Sequence, residues 1–201
     1  MYRIISFIIG YLFGGIQSAI LYGKIKGIDI TQHGSGNPGT TNTARVLGKK
    51  AGIIVLIIDI FKAIVAVAIA RMIFPNEDIL IGLYSGIGAI LGHSYPLFFK
   101  FKGGKGIATT AGTLIAVDFR VFIIAGILFL ISFGITRIVS ISSLLLTLSI
   151  PILLIIFYCT KAYGIEVMIL GFVITLITFY RHKANIKRLI AGTESRLTTK
   201  K

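Results

Sequence analysis

Residues 51–74 read AGIIVLIIDIFKAIVAVAIARMIF, an apolar run broken only by Asp59, Lys62 and Arg71. A helix crosses the ~30 Å hydrocarbon core of a bilayer with about 20 such residues, so this run is predicted to span a membrane. Asp59 and Lys62 stand three positions apart, where side chains on a helix meet. Charge is costly in lipid, and mutual pairing offsets the cost. The two are expected to form a structural intramembrane pair that anchors this helix against a neighbour.

The same pattern recurs in both directions. Apolar runs cover 4–22, 79–98, 121–136, 139–158 and 165–180, with a shorter one at 107–117 that carries Thr109, Thr110 and Thr113. The chain is 55% hydrophobic and 14% charged, with a mean hydropathy of +0.92. A soluble domain needs a more polar surface. The expected fold is an all-α integral membrane protein with about seven transmembrane helices, folded as one domain over 1–201, with no internal repeat. The first run is too long for a signal-peptide core and has no small-x-small cleavage site, so it is expected to remain as the first helix. Gly10, Gly14, Gly15 and Ser18 recur near every fourth position, a spacing that suits close helix packing in lipid. The single cysteine, Cys159, leaves no disulfide framework or cysteine-based metal site.

Twenty-one Lys and Arg against seven acids leave a net charge of +14. Sixteen of the 21 fall in the 24–50 loop, the 99–106 loop, at Arg137 and in the tail from Arg181. Arg3, Arg71, Arg120 and Lys161 lie on the other side, with an acidic turn at 75–78 and Asp118 and Glu166. The excess of positive charge on inner loops then sets the N-terminus outside and the C-terminus in the cytoplasm.

Three polar segments share that cytoplasmic side. The first is Gly34-Ser35-Gly36-Asn37-Pro38-Gly39-Thr40-Thr41-Asn42, with Arg45 following. Its glycines allow a loop whose amides converge on an anion, with Ser35, Thr40, Thr41 and Asn42 as further donors. Thr41 or Asn42 is expected to cap a helix from Thr43, aiming its positive dipole end at the same anion. The loop lacks the Gly-Lys-Ser/Thr ending of a Walker A motif. The second segment runs from Gly92-His93-Ser94-Tyr95-Pro96 to Lys102-Gly103-Gly104-Lys105-Gly106, where Lys105 is set among glycines that admit an oxyanion. The third runs from Arg181 to Leu189 and on through Gly192-Thr193-Glu194. If the last helix continues, His182, Asn185 and Leu189 share a face while Lys183 and Lys187 share another. Lys183, Lys187, Arg188 and Lys200 are read as resting on anionic headgroups. Arg137, Ser140 and Ser143 add a polar stripe.

No paired carboxylates accompany these segments, which argues against glycosidase or two-metal chemistry. Three histidines without clustered acids or cysteines argue against zinc. No metal and no cofactor is expected. Phosphate groups suit such a cationic, glycine-rich and hydroxyl-rich set.

On these three segments, and on the Asp59–Lys62 pair, the chain resembles the bacterial acyl-phosphate-dependent glycerol-3-phosphate acyltransferases. The resemblance implies transfer of a fatty acyl group from acyl phosphate to the 1-hydroxyl of glycerol 3-phosphate, giving lysophosphatidic acid and phosphate. It implies a monomer in the bacterial cytoplasmic (inner) membrane, working at its cytoplasmic face among membrane lipids, with no nucleic-acid partner. The expected catalytic residues are Ser35, Arg45, Lys105, His182 and Asn185. The expected substrate-binding residues are Gly34, Gly36, Asn37, Gly39, Thr40, Thr41, Asn42, His93, Ser94, Lys102, Gly103, Gly104, Arg137, Ser140, Ser143 and Glu194. Proton removal falls to His182 or to a substrate phosphate oxygen. A His-x4-Asp dyad is ruled out, because Pro38, Phe98 and Lys187 stand five residues after the three histidines. The rival reading is a transporter or channel for phosphate or phosphate esters, against which the missing repeat and the one-sided motifs argue.

Overall fold

The computed structural model describes residues 1–75 and 78–197. Asn76 and Glu77 of the expected acidic turn lie outside the described residues, as does Lys200. The described fold is helical throughout: α1 (Tyr2–Gly14), α2 (Ser18–Ile25), α3 (Thr40–Leu47), α4 (Lys49–Ile73), α5 (Asp78–Ser94), α6 (Ile107–Val117), α7 (Phe119–Thr136), α8 (Val139–Tyr158), α9 (Gly164–Arg181) and α10 (Lys183–Ile190). Five stretches are long and apolar enough to cross a membrane: Tyr2–Ile25, Lys49–Ile73, Phe119–Thr136, Val139–Tyr158 and Gly164–Arg181. The faces of α4 and α7 are turned to suit lipid. Ile53, Ile57, Phe61, Ile127 and Leu130 are exposed, while Asp59 and Lys62 are buried.

The chain forms two compact units, Met1–Val117 and the segment from Asp118 onward. In the first, α1 lies against α5 through a reciprocal set of glycines. Gly10 and Gly14 face the backbone of Ser85 and Ala89, and Gly88 and Gly92 face the carbonyls of Phe7 and Tyr11. A Cβ at any of the four would collide with main chain, which cannot swing aside as a side chain can. Gly10 and Gly14 thus pack as their spacing predicts. Gly15 does not, for a Cβ there would meet only carbonyls of its own helix, at 3.3 and 3.4 Å. Gly112 of α6 rests on the backbone of Ile60 in the same way. Arg71 donates to the carbonyls of Ala116 and Val117, satisfying the end of α6.

Three helix boundaries depart from the sequence expectation. The first apolar run is two helices, because the chain breaks at 15–17 and gives its exposed backbone to other partners: Lys62 Nζ donates to the Ile16 carbonyl at 2.6 Å. The run expected to reach residue 98 stops at Ser94, since Pro96 disfavours helical backbone at Tyr95. A 3₁₀ turn follows at Leu97–Phe99. The helix expected from Thr43 begins at Thr40, and Gly48, at φ 89°, separates it from α4.

In the second unit, α8 packs between α7 and α9. Thr175 Oγ1 donates to the Thr147 carbonyl at 2.7 Å, and Ser142 Oγ to Ser132 Oγ at 3.2 Å. These are the interhelical hydrogen bonds of a structure whose solvent offers no alternative partners. Asp118 caps α7 and accepts from the Arg120 amide at 2.9 Å and from Tyr158 Oη at 2.7 Å.

The glycine contacts generate a matched comparison. Gly88→Ala or Gly92→Ala should destabilise the protein by ~2 kcal/mol or more, because backbone must move to make room. Gly126→Ala should be neutral or stabilising, since nothing lies within 4 Å of a Cβ there. Thermal unfolding of the purified protein in detergent compares the three.

Candidate functional site

The Gly34–Asn42 loop is built by one side chain. Asn42, buried in the first turn of α3, accepts from the Ser35 amide at 2.8 Å. Its Nδ2 donates to the carbonyls of His33 at 2.9 Å and Ile30 at 3.2 Å. Ile30 is fully buried against Ala19 and Val55, which fixes the near end of the loop. Gly34 stands at φ 62°, with Asn42 Oδ1 where a Cβ would project. Only glycine meets both conditions.

This construction corrects the expected cradle of loop amides. The Ser35, Gly36 and Gly39 amides donate to Asn42 Oδ1, the His33 carbonyl and the Asn37 carbonyl, and the Asn37 amide lies 3.5 Å from Ser35 Oγ. They close the loop on itself instead of pointing at a ligand. The expected side-chain cap by Thr41 or Asn42 is also absent. Gly39 is the N-cap and brings no side-chain bond, so the amides of Thr40 and Thr41 open the helix without a capping side chain. The first turn of α3 thus carries the positive end of its helix dipole. Thr40 Oγ1 is buried there without a partner, Thr41 is half-buried, and Ser35 and Arg45 are exposed.

The second segment lies in the same unit and meets the first. His93 is 4% exposed at the end of α5, and its carbonyl accepts from the Gly104 amide and from Gln17 Nε2, both at 3.1 Å. A Cβ on Gly104 would strike His93 Nε2 and would lie 3.0 Å from the Pro38 carbonyl oxygen. Pro38, His93 and Gly104 thus pack into one corner. Gly103 is buried against the His93 carbonyl, Lys105 is half-buried and Lys102 exposed. Ser94 Oγ is buried without a partner. Asp59 and Lys62, 1% and 4% exposed, pair at 2.8 Å as their spacing predicts, and Ser18 Oγ donates to Asp59 at 2.7 Å.

The third segment, with Arg137, Ser140 and Ser143, belongs to the second unit. The last helix does not continue unbroken, since the chain turns at His182 between α9 and α10. The expected facing survives the break: His182 and Asn185 are buried, while Lys183 and Lys187 are exposed. His182 Nδ1 lies 2.9 Å from the Thr178 carbonyl. A carbonyl only accepts, so Nδ1 donates. Asn185 Nδ2 donates to Glu194 at 2.5 Å, while its Oδ1 is buried without a partner.

Glu194 accepts from Ser140 Oγ at 2.9 Å and Arg188 Nε at 2.6 Å as well as from Asn185. With both carboxylate oxygens engaged by the protein, it fastens the tail rather than facing an anion, and the Leu197 amide adds a bond to the Arg137 carbonyl at 2.8 Å. The exposed Arg137 is in the left-handed region as the C-cap of α7. Ser143 returns its hydroxyl to the Val139 carbonyl. Among the described residues, no three His, Cys, Asp or Glu side chains are grouped to hold a metal ion. Gln17 was missed as a candidate, although a lone amide inside an apolar run is a visible signal.

Burial alone would raise the Glu194 pKa, but the hydrogen bonds from Asn185, Arg188 and Ser140 and the Arg188 charge outweigh it and hold the carboxyl below its ordinary value. A depressed carboxylate contributes stability above its unfolded pKa and loses it as pH falls through the folded value. The latch should therefore hold at neutral pH and release only below about pH 4.5, the ordinary glutamate range. Glu194→Ala should cost ~2 kcal/mol at pH 7 and much less at the acid end. Unfolding midpoints of both proteins across that range read the difference.

Comparison with known proteins extends over the same residues. Residues 4–192 match the family model for glycerol-3-phosphate acyltransferase. The chain is 39% identical over 192 residues to a glycerol-3-phosphate acyltransferase of Halalkalibacterium halodurans, covering 95% of this chain and 93% of that one. It is 41% identical to one from Macrococcus caseolyticus, with 96% of each covered. Among solved structures it is similar to PlsY, an integral membrane glycerol 3-phosphate acyltransferase, in its glycerol 3-phosphate form. The TM-score is 0.87 at 36% identity, over 99% of this chain and 97% of that one. The lysophosphatidic acid form gives 0.84. With its polar segments lying almost wholly inside the matched span, the chain belongs to the glycerol-3-phosphate acyltransferase family.

Proposed function

We propose that the protein transfers a fatty acyl group from acyl phosphate to the 1-hydroxyl of glycerol 3-phosphate, releasing lysophosphatidic acid and phosphate. The observation that carries this reading is the likeness over 99% of the chain to an acyltransferase structure in its glycerol 3-phosphate form. The protein's own chemistry favours an acyl phosphate as donor. The candidate residues are cations, hydroxyls and helix-end amides, suited to stabilising a phosphate leaving group, and phosphate leaves without a strong acid or base.

In this reading the hydroxyl oxygen of glycerol 3-phosphate attacks the acyl carbonyl, the acyl–phosphate C–O bond breaks and inorganic phosphate departs. Ser35, Arg45 and the first turn of α3, with Thr40 and Thr41, attract the donor phosphate. Gly34, Gly36, Asn37, Gly39 and Asn42 shape that segment. Lys105, with Gly103, Gly104, Lys102, His93 and Ser94, and His182 with Asn185 hold glycerol 3-phosphate. Asn185 Oδ1, buried without a partner, is suited to accept from a glycerol hydroxyl. The proton goes to His182 Nε2 or to a phosphate oxygen. Glu194, held by Ser140, supports Asn185, and Arg137 and Ser143 complete the polar stripe of that segment.

The reading includes seven crossings, the five long stretches with α5 and α6 added, in a single catalytic domain. An odd number sets the termini on opposite sides, and the charge count sets the C-terminus in the cytoplasm. The protein then works as a monomer without a cofactor, at the cytoplasmic face of the inner membrane, surrounded by membrane lipids.

Purified protein given palmitoyl phosphate and glycerol 3-phosphate should form lysophosphatidic acid, and palmitoyl-CoA should not replace the donor. Lys105→Ala and Arg45→Ala should each lower turnover at least ~100-fold, the scale of a lost charge-stabilising group. Near-normal rates in both would overturn the assignment. No product, together with phosphate flux into liposomes, would favour a transporter.

A further inference from the structure

The Asp59–Lys62 pair lies in the apolar middle of α4, remote in sequence from both glycine segments. Its ammonium nevertheless reaches His93. Lys62 Nζ is 2.8 Å from Asp59 Oδ1, 2.6 Å from the Ile16 carbonyl oxygen and 2.9 Å from His93 Nδ1. An ammonium has three protons to donate and no lone pair, and here it meets three acceptors. His93 Nδ1 must then present its lone pair, which leaves the ring proton on Nε2. A doubly protonated ring would place two cations against one carboxylate in a buried setting, at a large cost. Asp59, 3.5 Å from the same Nδ1, balances the ammonium instead.

The two ends of His93 then act on the second segment. Its carbonyl receives the Gly104 amide, and its Nε2 edge fills the space beside the Gly104 α-carbon near the Pro38 carbonyl. Gln17 Nε2 braces the same carbonyl from the break between α1 and α2.

We propose that Asp59 and Lys62 are positioning residues of the acyl-transfer site: by fixing His93 as the Nε2–H tautomer, they keep a donor at the corner of Pro38 and Gly104 and set where the Gly103–Lys105 backbone stands. The proposal rests on the reading that this backbone holds glycerol 3-phosphate. Disturbing the pair should therefore weaken binding of that substrate more than it slows the chemistry.

The chain has three histidines, so nitrogen-15 spectra of histidine-labelled protein are tractable, and the His93 signal is the one lost in His93→Gln. The expected wild-type spectrum shows His93 protonated at Nε2 and bare at Nδ1, and a proton on Nδ1 overturns the proposal. In kinetics, the double variant Asp59→Asn/Lys62→Met removes both charges and leaves neither unpaired. Its KM for glycerol 3-phosphate should rise about tenfold with kcat within about twofold of wild type, a loss of positioning rather than of transition-state contacts. A folded double variant with an unchanged KM overturns the proposal. Should the double variant fail to fold, His93→Gln and His93→Asn decide, since their amide nitrogens fall near Nε2 and Nδ1 respectively. A KM for glycerol 3-phosphate about tenfold higher in the Asn variant than in the Gln variant supports the proposal, and equal KM values in the two overturn it. Failure of wild-type protein to form lysophosphatidic acid would instead defeat the parent reading, whatever tautomer His93 holds.

Discussion

A charged pair on a helix surrounded by lipid has nowhere to find water. The bare carboxylate of Asp59 and ammonium of Lys62 would each cost several kcal/mol in that setting. Their mutual contact removes the net charge but leaves lone pairs and protons that must also be met. The fold meets them by assembling three elements around α4. Ser18 of α2 supplies a hydroxyl, the break between α1 and α2 supplies the Ile16 carbonyl, and α5 supplies the His93 ring. Each partner is usable only if its helix sits within a few tenths of an ångström of one place. The pair thus specifies an arrangement, which is the best-attested use of buried charge, while its net stabilisation is small.

Close approach makes those distances reachable. Without a hydrophobic force between helices in lipid, association depends on van der Waals contact and hydrogen bonds, both of which fall off steeply. The α1–α5 glycines let main chain touch main chain, so the end of α5 is held beside the break that follows α1. Gln17 Nε2 joins the two across that point by donating to the His93 carbonyl. Packing and polar contacts therefore reinforce each other: the glycines set the distance, and the buried polar groups set the register.

The sequence was legible where the cause is local. Asp59 and Lys62 pair because three positions on a helix place them together, and Gly10 and Gly14 pack because their spacing puts them on one face. Gly34 and Gly36 take positive φ inside a glycine-rich run that reads as a tight loop. It was opaque where the cause lies elsewhere in the chain. Nothing near residue 93 announces that a lysine 31 positions earlier will fix its ring. The break at 15–17 is invisible to hydropathy, which averages across it, because the donor that compensates the Ile16 carbonyl, Lys62 Nζ, comes from α4. The 34–42 segment shows both sides at once. Its glycines gave away a tight loop, yet the destination of its amides depended on Asn42 returning from α3. Glu194 stood out as an acid in a basic tail, and only its three donors reveal that it fastens the tail.

The same distinction bears on how such a protein can work with weak chemistry. Donors that close a loop are already satisfied and lend an incoming anion nothing. Donors at an uncapped helix start keep their partial charge available and need no rearrangement when charge develops. By engaging the Ser35, Gly36 and Gly39 amides internally, the loop becomes a rigid collar that leaves the first turn of α3 as its polar mouth. Rigidity here has an electrostatic consequence. A flexible glycine loop could turn its amides toward a phosphate only by paying for their reorientation, whereas a helix end holds them fixed beforehand. Asn42, in the first turn of α3, locks the collar with its side chain, so one residue ties the closed loop to the helix whose start it leaves uncapped.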